Sequence, residues 1–220
     1  MISFMGLGTI AGVGMVFTII LARSFGPTLF GVFSALAALV TLLSSLGDLG
    51  IQSALVNFLP KIQDRRQILI SVTFWFQIAV SLILTLALIA LGLKPDLIIP
   101  GSKSIHFVII GFLTGLYVLQ GFAVGIFNAE RKFLQSSFTQ GFDSVVKLLI
   151  VSALFFSKNI NIELALAANT FSVFLSVIYG IGNELKNIRP IFPRAQLTQI
   201  FHFAKWIALS RAFSVMISRV

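Results

Sequence analysis

Six ionisable side chains stand within long apolar stretches of the chain or at the ends of those stretches. They are Arg23, Asp48, Asp143, Lys147, Arg211 and Arg219. A charged group at the centre of a bilayer costs at least about 2.5 kcal/mol on insertion scales, so such groups usually face a cavity or a partner. Because four of the six are basic, this set predicts the binding of an anionic group inside a membrane protein.

Asp143 and Lys147 are four residues apart, with the acid on the N-terminal side. This is the favourable order for an ion pair on one face of a helix. Two interpretations remain open. Either the pair neutralises itself and so permits insertion, or Lys147 presents its ammonium to an anionic headgroup while Asp143 orients it.

The other charged residues have different expected environments. Arg211 has no acidic residue within four positions on its own stretch, so we expect it to face a cavity, or to be neutralised by Asp48 or Asp143 of another helix. Arg23 and Arg219 stand at helix ends, where a long side chain can reach the lipid headgroups. Asp48 lies in Gly47-Asp48-Leu49-Gly50, where a bend is predicted, and either supports that bend or couples an ion.

The composition predicts an all-α integral membrane protein. Hydrophobic residues make up 57% of the chain, charged residues only 10%, and the mean hydropathy is +1.01. A helix of about 20 apolar residues crosses the hydrocarbon core and satisfies its own backbone hydrogen bonds. Six stretches of this kind are present, and a seventh begins at Trp206. The six run over Ile2–Ala22, Leu29–Leu59, Ile68–Leu93, Ile105–Asn128, Phe138–Phe156 and Ile162–Gly182.

The basic residues between the stretches predict the orientation, because cytoplasmic connections carry an excess of Lys and Arg. The connections after the second, fourth and sixth stretches carry Lys61, Arg65, Arg66, Arg131, Lys132, Lys186, Arg189, Arg194 and Lys205. The opposite side carries only Arg23, Lys94, Lys103 and Lys158. We therefore expect a cytoplasmic N-terminus. The net charge of +9 is dispersed over several connections, which argues against nucleic acid as a partner.

Neither a metal site nor a cofactor is expected. The chain has no cysteine, and the two histidines belong to opposite membrane surfaces. Three glycine pairs four residues apart, Gly8/Gly12, Gly111/Gly115 and Gly121/Gly125, predict close approach of helices.

A short repeat indicates duplication. The heptapeptide FTIILAR, residues 17–23, matches FSVMISR, residues 213–219, at an offset of 196 residues. Six spans separate the two, so both would end a helix on the same side. This predicts a six-helix lobe over residues 1–182, a cytoplasmic linker over 183–205, and the truncated first helix of a second lobe over 206–220.

Three segments carry a resemblance to a known family. They are LARSFGPTLFGVFSAL with LGDLGIQSALVNFLPK, the GIFNAERKF connection, and SVVKLLIV. The pattern resembles the polysaccharide (O-antigen type) lipid-linked oligosaccharide flippases of the multidrug/oligosaccharidyl-lipid/polysaccharide exporter superfamily. The resemblance implies the N-terminal lobe of a two-lobe, MATE-like transporter in the bacterial inner membrane. Its expected partners are an undecaprenyl-pyrophosphate-linked oligosaccharide, membrane lipids and a second lobe missing from this sequence.

Three alternatives are weighed against flipping. A cation-coupled multidrug exporter of the same superfamily is expected to carry a carboxylate in the first span, and residues 2–22 contain none. A membrane enzyme needs acids or histidines in a sizeable outer loop, whereas KPDLIIPGSKS and SKNIN are short. We therefore expect no catalytic residues. A non-functional fragment of a truncated gene is the third alternative.

Overall fold

The computed structural model describes the backbone of residues 2–61 and 66–185, and the side-chain surroundings of residues 12–61 and 66–182. Its described part contains helices and short 3-10 turns and no strand, which confirms the all-α expectation. The helices are α1 (Ile2–Gly47), α2 (Ile51–Phe58), α3 (Arg66–Leu91), α4 (Ser104–Ala129), α5 (Phe133–Phe156) and α6 (Ile162–Leu185).

Five helical elements in the described part are long and apolar enough to cross a membrane. They cover Gly12–Lys61, Arg66–Leu91, Ser104–Ala129, Phe133–Phe156 and Ile162–Gly182. The first of them contains the second half of the first predicted span and all of the second, so five elements stand where six stretches are expected. The reason is that the two spans are joined at Gly26 without an intervening loop.

Gly26 reverses the direction of the chain within α1. Its backbone has φ 68° and ψ 176°, a region that glycine enters without a steric penalty, and Pro27 follows it. Phe17 and Phe33 are 16 residues apart, which corresponds to about 24 Å in a straight helix. Their ring centroids are 6.3 Å apart. Thus α1 consists of a first arm, residues 2–25, and a second arm, residues 27–47, which fold back on each other.

The predicted bend at residues 47–50 is present and ends the second arm. Helix α1 stops at Gly47, Leu49 and Gly50 have φ values of 46° and 77°, and α2 begins at Ile51. The amide of Ile51 donates to the carbonyl oxygen of Asp48 at 2.8 Å. Two consecutive residues with positive φ interrupt the helix and give the α2 segment its own direction.

Helix α4 is the centre of the bundle, because it packs against each of the other five helices. Its Phe107 and Phe122 are fully buried. The glycine pair Gly111/Gly115 faces α3, as predicted: the hydroxyl of Thr85 donates to the carbonyl oxygen of Gly111 at 3.0 Å. A Cβ at Gly115 would lie 2.5 Å from the Ser81 hydroxyl oxygen.

The other two glycine pairs are only partly explained by close approach. A Cβ at Gly125 would lie 3.2 Å from the Cα of Gln52 on α2, whereas Gly121 and Gly12 have nothing within 4 Å of that position. Gly8 lies outside the residues whose side-chain surroundings are described.

Ion pairs at two ends of the bundle join the connections that the span count places on the same side. Arg66 and Lys132 both contact Glu130, which links the start of α3 to the α4–α5 connection. Lys103 contacts Glu163 at 2.9 Å, which links the α3–α4 connection to the start of α6. The connections therefore alternate between ends, as crossing helices require.

Five hydroxyl groups of α1 bond to carbonyl oxygens of α1 itself. This local bonding satisfies each hydroxyl where no water is available. The pairs are Thr18 with Gly14, Ser24 with Ile20, Thr41 with Ala37, and Ser44 and Ser45 with Thr41. These five side chains of α1 thus bond within their own helix.

Candidate functional site

Asp143 and Lys147 lie on one face of α5, as their spacing predicts. Asp143 is 5% exposed, and one of its carboxylate oxygens accepts a hydrogen bond from the Ser172 hydroxyl at 2.8 Å. The Lys147 Nζ lies 3.9 Å from the other oxygen. That distance exceeds the 2.7–2.9 Å of a charge-assisted hydrogen bond, so the two groups attract each other without a tight contact.

An aromatic ring of the first arm of α1 provides the second support for the lysine. Nζ of Lys147 lies 5.6 Å from the ring centroid of Phe17, within the range of a cation–π interaction. The ring stabilises the positive charge from one side and uses none of the three N–H donors in a hydrogen bond. The ammonium is therefore placed by α5 and α1 together.

A cavity of about 510 Å³ lies beside this ammonium, between α1 and the helices α4 to α6. Its wall combines aromatic rings with hydroxyl and amide groups. The aromatic and polar lining residues beside Lys147 are Phe17, Thr18, Phe30, Phe33, Ser34, Thr41, Ser44, Tyr117 and Asn169. Among these lining residues Lys147 is the one that carries a charge, so the cavity combines one cation, aromatic surface and uncharged hydrogen-bonding groups.

A second cavity of about 420 Å³ adjoins the first, because Ser44 and Tyr117 line both. Its polar lining includes Asp48, Gln52, Gln120 and Gln140. The Tyr117 hydroxyl donates to the Asn169 side-chain oxygen at 3.2 Å. The two cavities together line the second arm of α1 with a mixture of polar and apolar groups.

Asp48 supports the bend and also lines the second cavity. Its side chain is 8% exposed, and one carboxylate oxygen accepts the backbone N–H of Gln52 at 3.1 Å. The Gln77 side chain donates to the Asp48 carbonyl at 3.4 Å. These contacts favour the bend-stabilising role predicted for Asp48, and ion coupling stays a prediction.

The remaining predicted cations do not gather around Lys147 in the described part of the chain. Arg23 is exposed near the reversal at Gly26 and lines neither cavity. Arg211 and Arg219 lie outside the described residues, as do residues 186–205 of the predicted linker and the predicted seventh helix.

A network of uncharged polar residues surrounds Asp143 and was not singled out from the sequence. Gln120 donates to the Ser176 hydroxyl at 2.8 Å, and Ser176 donates to the Thr139 carbonyl at 2.7 Å. These residues repeat every three or four positions within apolar spans: Thr114, Tyr117 and Gln120 on α4, Thr139 and Asp143 on α5, and Asn169, Ser172 and Ser176 on α6. That spacing was the available signal, because it places one polar stripe on each helix.

Comparison with known proteins identifies one family. The family model described as "Polysaccharide biosynthesis protein" matches residues 1–220. Neither a search of curated proteins nor a search of solved structures gave a match.

Proposed function

Because this chain belongs to the family of polysaccharide biosynthesis proteins, we propose that it forms one lobe of a transporter for a lipid-linked oligosaccharide. The cargo is an undecaprenyl-pyrophosphate-linked oligosaccharide, and the membrane is the bacterial inner membrane with the N-terminus in the cytoplasm. A second lobe, absent from this sequence, completes the central cavity, and alternate opening of the two lobes moves the headgroup outward. The translocated oligosaccharide is then used in polysaccharide or O-antigen synthesis.

The position of Lys147 carries this proposal. Its ammonium borders a cavity of about 510 Å³ and lies 3.9 Å from the nearer oxygen of Asp143. An ammonium has three donors, and at this distance the carboxylate does not occupy one with a short bond. The lysine therefore keeps donors for the oxygens of a phosphate.

The rest of the cavity wall suits the sugar part of the same cargo. A sugar that leaves water loses hydrogen bonds to its hydroxyls, and each unreplaced bond is costly. The Asn169 amide supplies donors there, and the hydroxyl oxygens of Tyr117 and Thr41 supply acceptors. The rings of Phe17 and Phe33 supply flat apolar surface. The polyprenyl tail remains in lipid and needs no pocket.

The other charged residues have supporting roles in this proposal. Arg211 is a second phosphate-facing cation, and Arg23 and Arg219 attract the anionic headgroup at the outer surface. Asp143 orients Lys147, and Asp48 supports the bend or couples an ion. No residue acts as a catalytic group.

The test is uptake of a lipid-linked oligosaccharide by vesicles that contain the product of the complete reading frame. We expect Lys147→Ala to lower the initial rate at least tenfold, because a charge-assisted hydrogen bond contributes about 1.5–3 kcal/mol. Lys158→Ala removes the same charge from an exposed connection and is expected to keep the wild-type rate. An unchanged rate in Lys147→Ala contradicts the proposal.

The role of Asp143 is tested by Asp143→Asn. The amide oxygen still accepts from Ser172, but the negative charge beside Lys147 is gone. If Asp143 orients Lys147, as proposed, the KM for the lipid-linked substrate rises several-fold. If Asp143 only permits insertion, the KM stays constant.

The same vesicles separate flipping from drug export. A cation-coupled exporter moves a cationic dye such as ethidium, and that movement depends on acids. We expect no ethidium transport above protein-free vesicles. Ethidium movement that persists in Lys147→Ala assigns the protein to the drug exporters, whereas an inactive complete reading frame supports the remnant alternative.

A further inference from the structure

A third cavity, of about 390 Å³, lies at the end of the bundle where α3 begins and α4 ends. It is lined by Leu59, Pro60, Arg66, Ala129, Glu130 and Arg131. Leu59, Pro60 and Ala129 make part of its wall apolar, and the other three residues are charged. None of its lining residues belongs to the two cavities of the proposed transport path.

The charges around this third cavity are mostly positive. Arg66 contacts the Glu130 carboxylate, and Lys132 Nζ lies 2.7 Å from it. Arg131 lines the cavity, is exposed, and carries a further positive charge. Lys61 stands one residue after Pro60 in the sequence. The site thus presents an excess of cations to a ligand.

Exposed apolar side chains follow the cations directly in the sequence. Phe133 and Leu134, at the start of α5, are 53% and 64% exposed and follow directly after Arg131 and Lys132. A surface that combines cations with exposed apolar groups at the end of membrane-spanning helices matches an amphiphile with an anionic head. A soluble anion would use the cations but would leave the apolar part uncovered.

Arg131 has a left-handed backbone conformation at the C-terminal end of α4. Arg131 has φ 59°, and Lys132 N–H donates to the Phe127 carbonyl at 2.8 Å. This is the left-handed residue that ends a helix in a Schellman motif, a position that favours glycine. Lys158 has φ 58° after α5, and Asn159 N–H donates to the Leu154 carbonyl in the same way. The chain therefore offers two equivalent backbone positions that carry a cation, one at the cavity and one elsewhere.

We propose that the third cavity binds the phosphate of an anionic phospholipid, with Arg131 and Arg66 on the headgroup and an acyl chain beside Phe133 and Leu134. This site is separate from the transport path and does not depend on the proposed function. Binding at this site is measured with phosphatidylglycerol, an anionic phospholipid. Phosphatidylcholine, which has no net charge, is the comparison.

The experiment compares Arg131→Gly with Lys158→Gly. Each substitution removes one positive charge and places glycine at a left-handed position, so each is expected to fold. The full chain, purified in an uncharged detergent, is titrated with phosphatidylglycerol and the bound lipid is counted by native mass spectrometry. Since one Lys or Arg near a lipid surface contributes about fivefold in affinity, we expect the Kd of the tightest site to rise about fivefold in Arg131→Gly. It should stay within twofold in Lys158→Gly.

Four results overturn the proposal. The first is an unchanged Kd in Arg131→Gly, and the second is an equal loss in both variants, which indicates attraction by net charge alone. The third is phosphatidylcholine that binds as tightly as phosphatidylglycerol. Millimolar inorganic pyrophosphate tests for a soluble ligand: if it displaces the lipid completely, the site binds a free anion and the phospholipid assignment is wrong.

Discussion

Glu130 shows how a single carboxylate responds to its neighbours at the end of the bundle. Burial opposes its ionisation, but the hydrogen bonds from Lys132 and Arg66 and their positive charges outweigh burial, so the pKa of Glu130 lies below its ordinary value. A lowered pKa means that the ionised form is bound more strongly in the folded state than in the unfolded state. The resulting stability is complete above the ordinary pKa of glutamate, about 4.3, and disappears as the pH falls through the lower folded value.

We predict that Glu130→Gln destabilises the protein by about 1 kcal/mol at neutral pH, because ion pairs with partly exposed partners contribute up to about that much. The difference from wild type should shrink as the pH is lowered below about 4.3. Thermal unfolding in detergent at several pH values measures this. Asp96→Asn, which changes an exposed acid of the α3–α4 connection, serves as the control. If the stability difference between Glu130→Gln and wild type is the same at all pH values, the stabilisation does not depend on ionised Glu130 and the prediction is wrong.

The charged residues of the candidate site could be read from the sequence, and its uncharged residues could not. Asp143 and Lys147 can be identified because charged side chains are rare in apolar spans. Their spacing of four residues places them on one face of a helix. Tyr117, Gln120 and Asn169 are ordinary polar residues in apolar spans. Their importance follows from contacts between α4 and α6, and such contacts depend on how two separate helices are rotated against each other.

At the scale of helices, the contact between α3 and α4 depends on Gly115. A Cβ there would lie 2.5 Å from the hydroxyl oxygen of Ser81 and 2.8 Å from that of Thr85. We predict that Gly115→Ala destabilises the bundle by about 1–3 kcal/mol, the usual effect of overpacking. Gly121→Ala is the matched control, because nothing lies within 4 Å of its added Cβ. Thermal unfolding should separate the two variants, and equal melting temperatures contradict this packing.

The reversal at Gly26 makes a second prediction for α1. The chain has no native cysteine, so Phe17→Cys/Phe33→Cys introduces the only two thiols. We expect a short bis-thiosulfonate reagent to cross-link them within one chain, because the two rings are 6.3 Å apart.

The control for this cross-link lies on α3. Trp75→Cys/Leu91→Cys has the same separation of 16 residues, but a continuous helix keeps these positions about 24 Å apart. This pair should remain uncross-linked. If the two pairs behave alike, α1 does not fold back.

The predicted number of spans differs from the number of continuous elements for a physical reason. Length and hydropathy locate apolar segments well, and four of the six predicted spans correspond to α3, α4, α5 and α6 within a few residues. The first two predicted spans form one continuous element because only Gly26 departs from helical backbone angles at the turn. The residues on both sides of it remain helical. The bend at Gly47 to Gly50 was predicted because two glycines lie close together there, and the positive φ values that interrupt the helix belong to Leu49 and Gly50.

At the scale of the whole molecule, the orientation in the membrane is a prediction from loop charges. Cysteines at Lys94 and Lys158 should react with a membrane-impermeant maleimide in intact cells. Cysteines at Lys61 and Arg131 should react only after the membrane is opened. All four positions are exposed, so differences in labelling report the side of the membrane. The reverse pattern would place the N-terminus outside.

The sequence could not predict the shape of the interior. The repeat of FTIILAR in FSVMISR predicts a second lobe, and the match over residues 1–220 supports the family. The two adjoining cavities depend on Tyr117 and Ser44, which come from helices far apart in sequence. Cavity volume is set by the small differences in distance between packed helices, and residue types alone do not determine them.

The helices of this lobe are joined by contacts of two kinds, hydrogen bonds and an aromatic contact, and the difference affects how the lobe could move. Ser172, Ser176 and Gln120 tie α4, α5 and α6 together through hydrogen bonds, which lose strength when their geometry changes. The first arm of α1 meets α5 through the face of Phe17, and a contact of this kind tolerates sliding. The three hydrogen-bonded helices would therefore move as a rigid body while the first arm shifts along them. Such a shift would displace the Phe17 ring and change the strength of its interaction with the Lys147 ammonium.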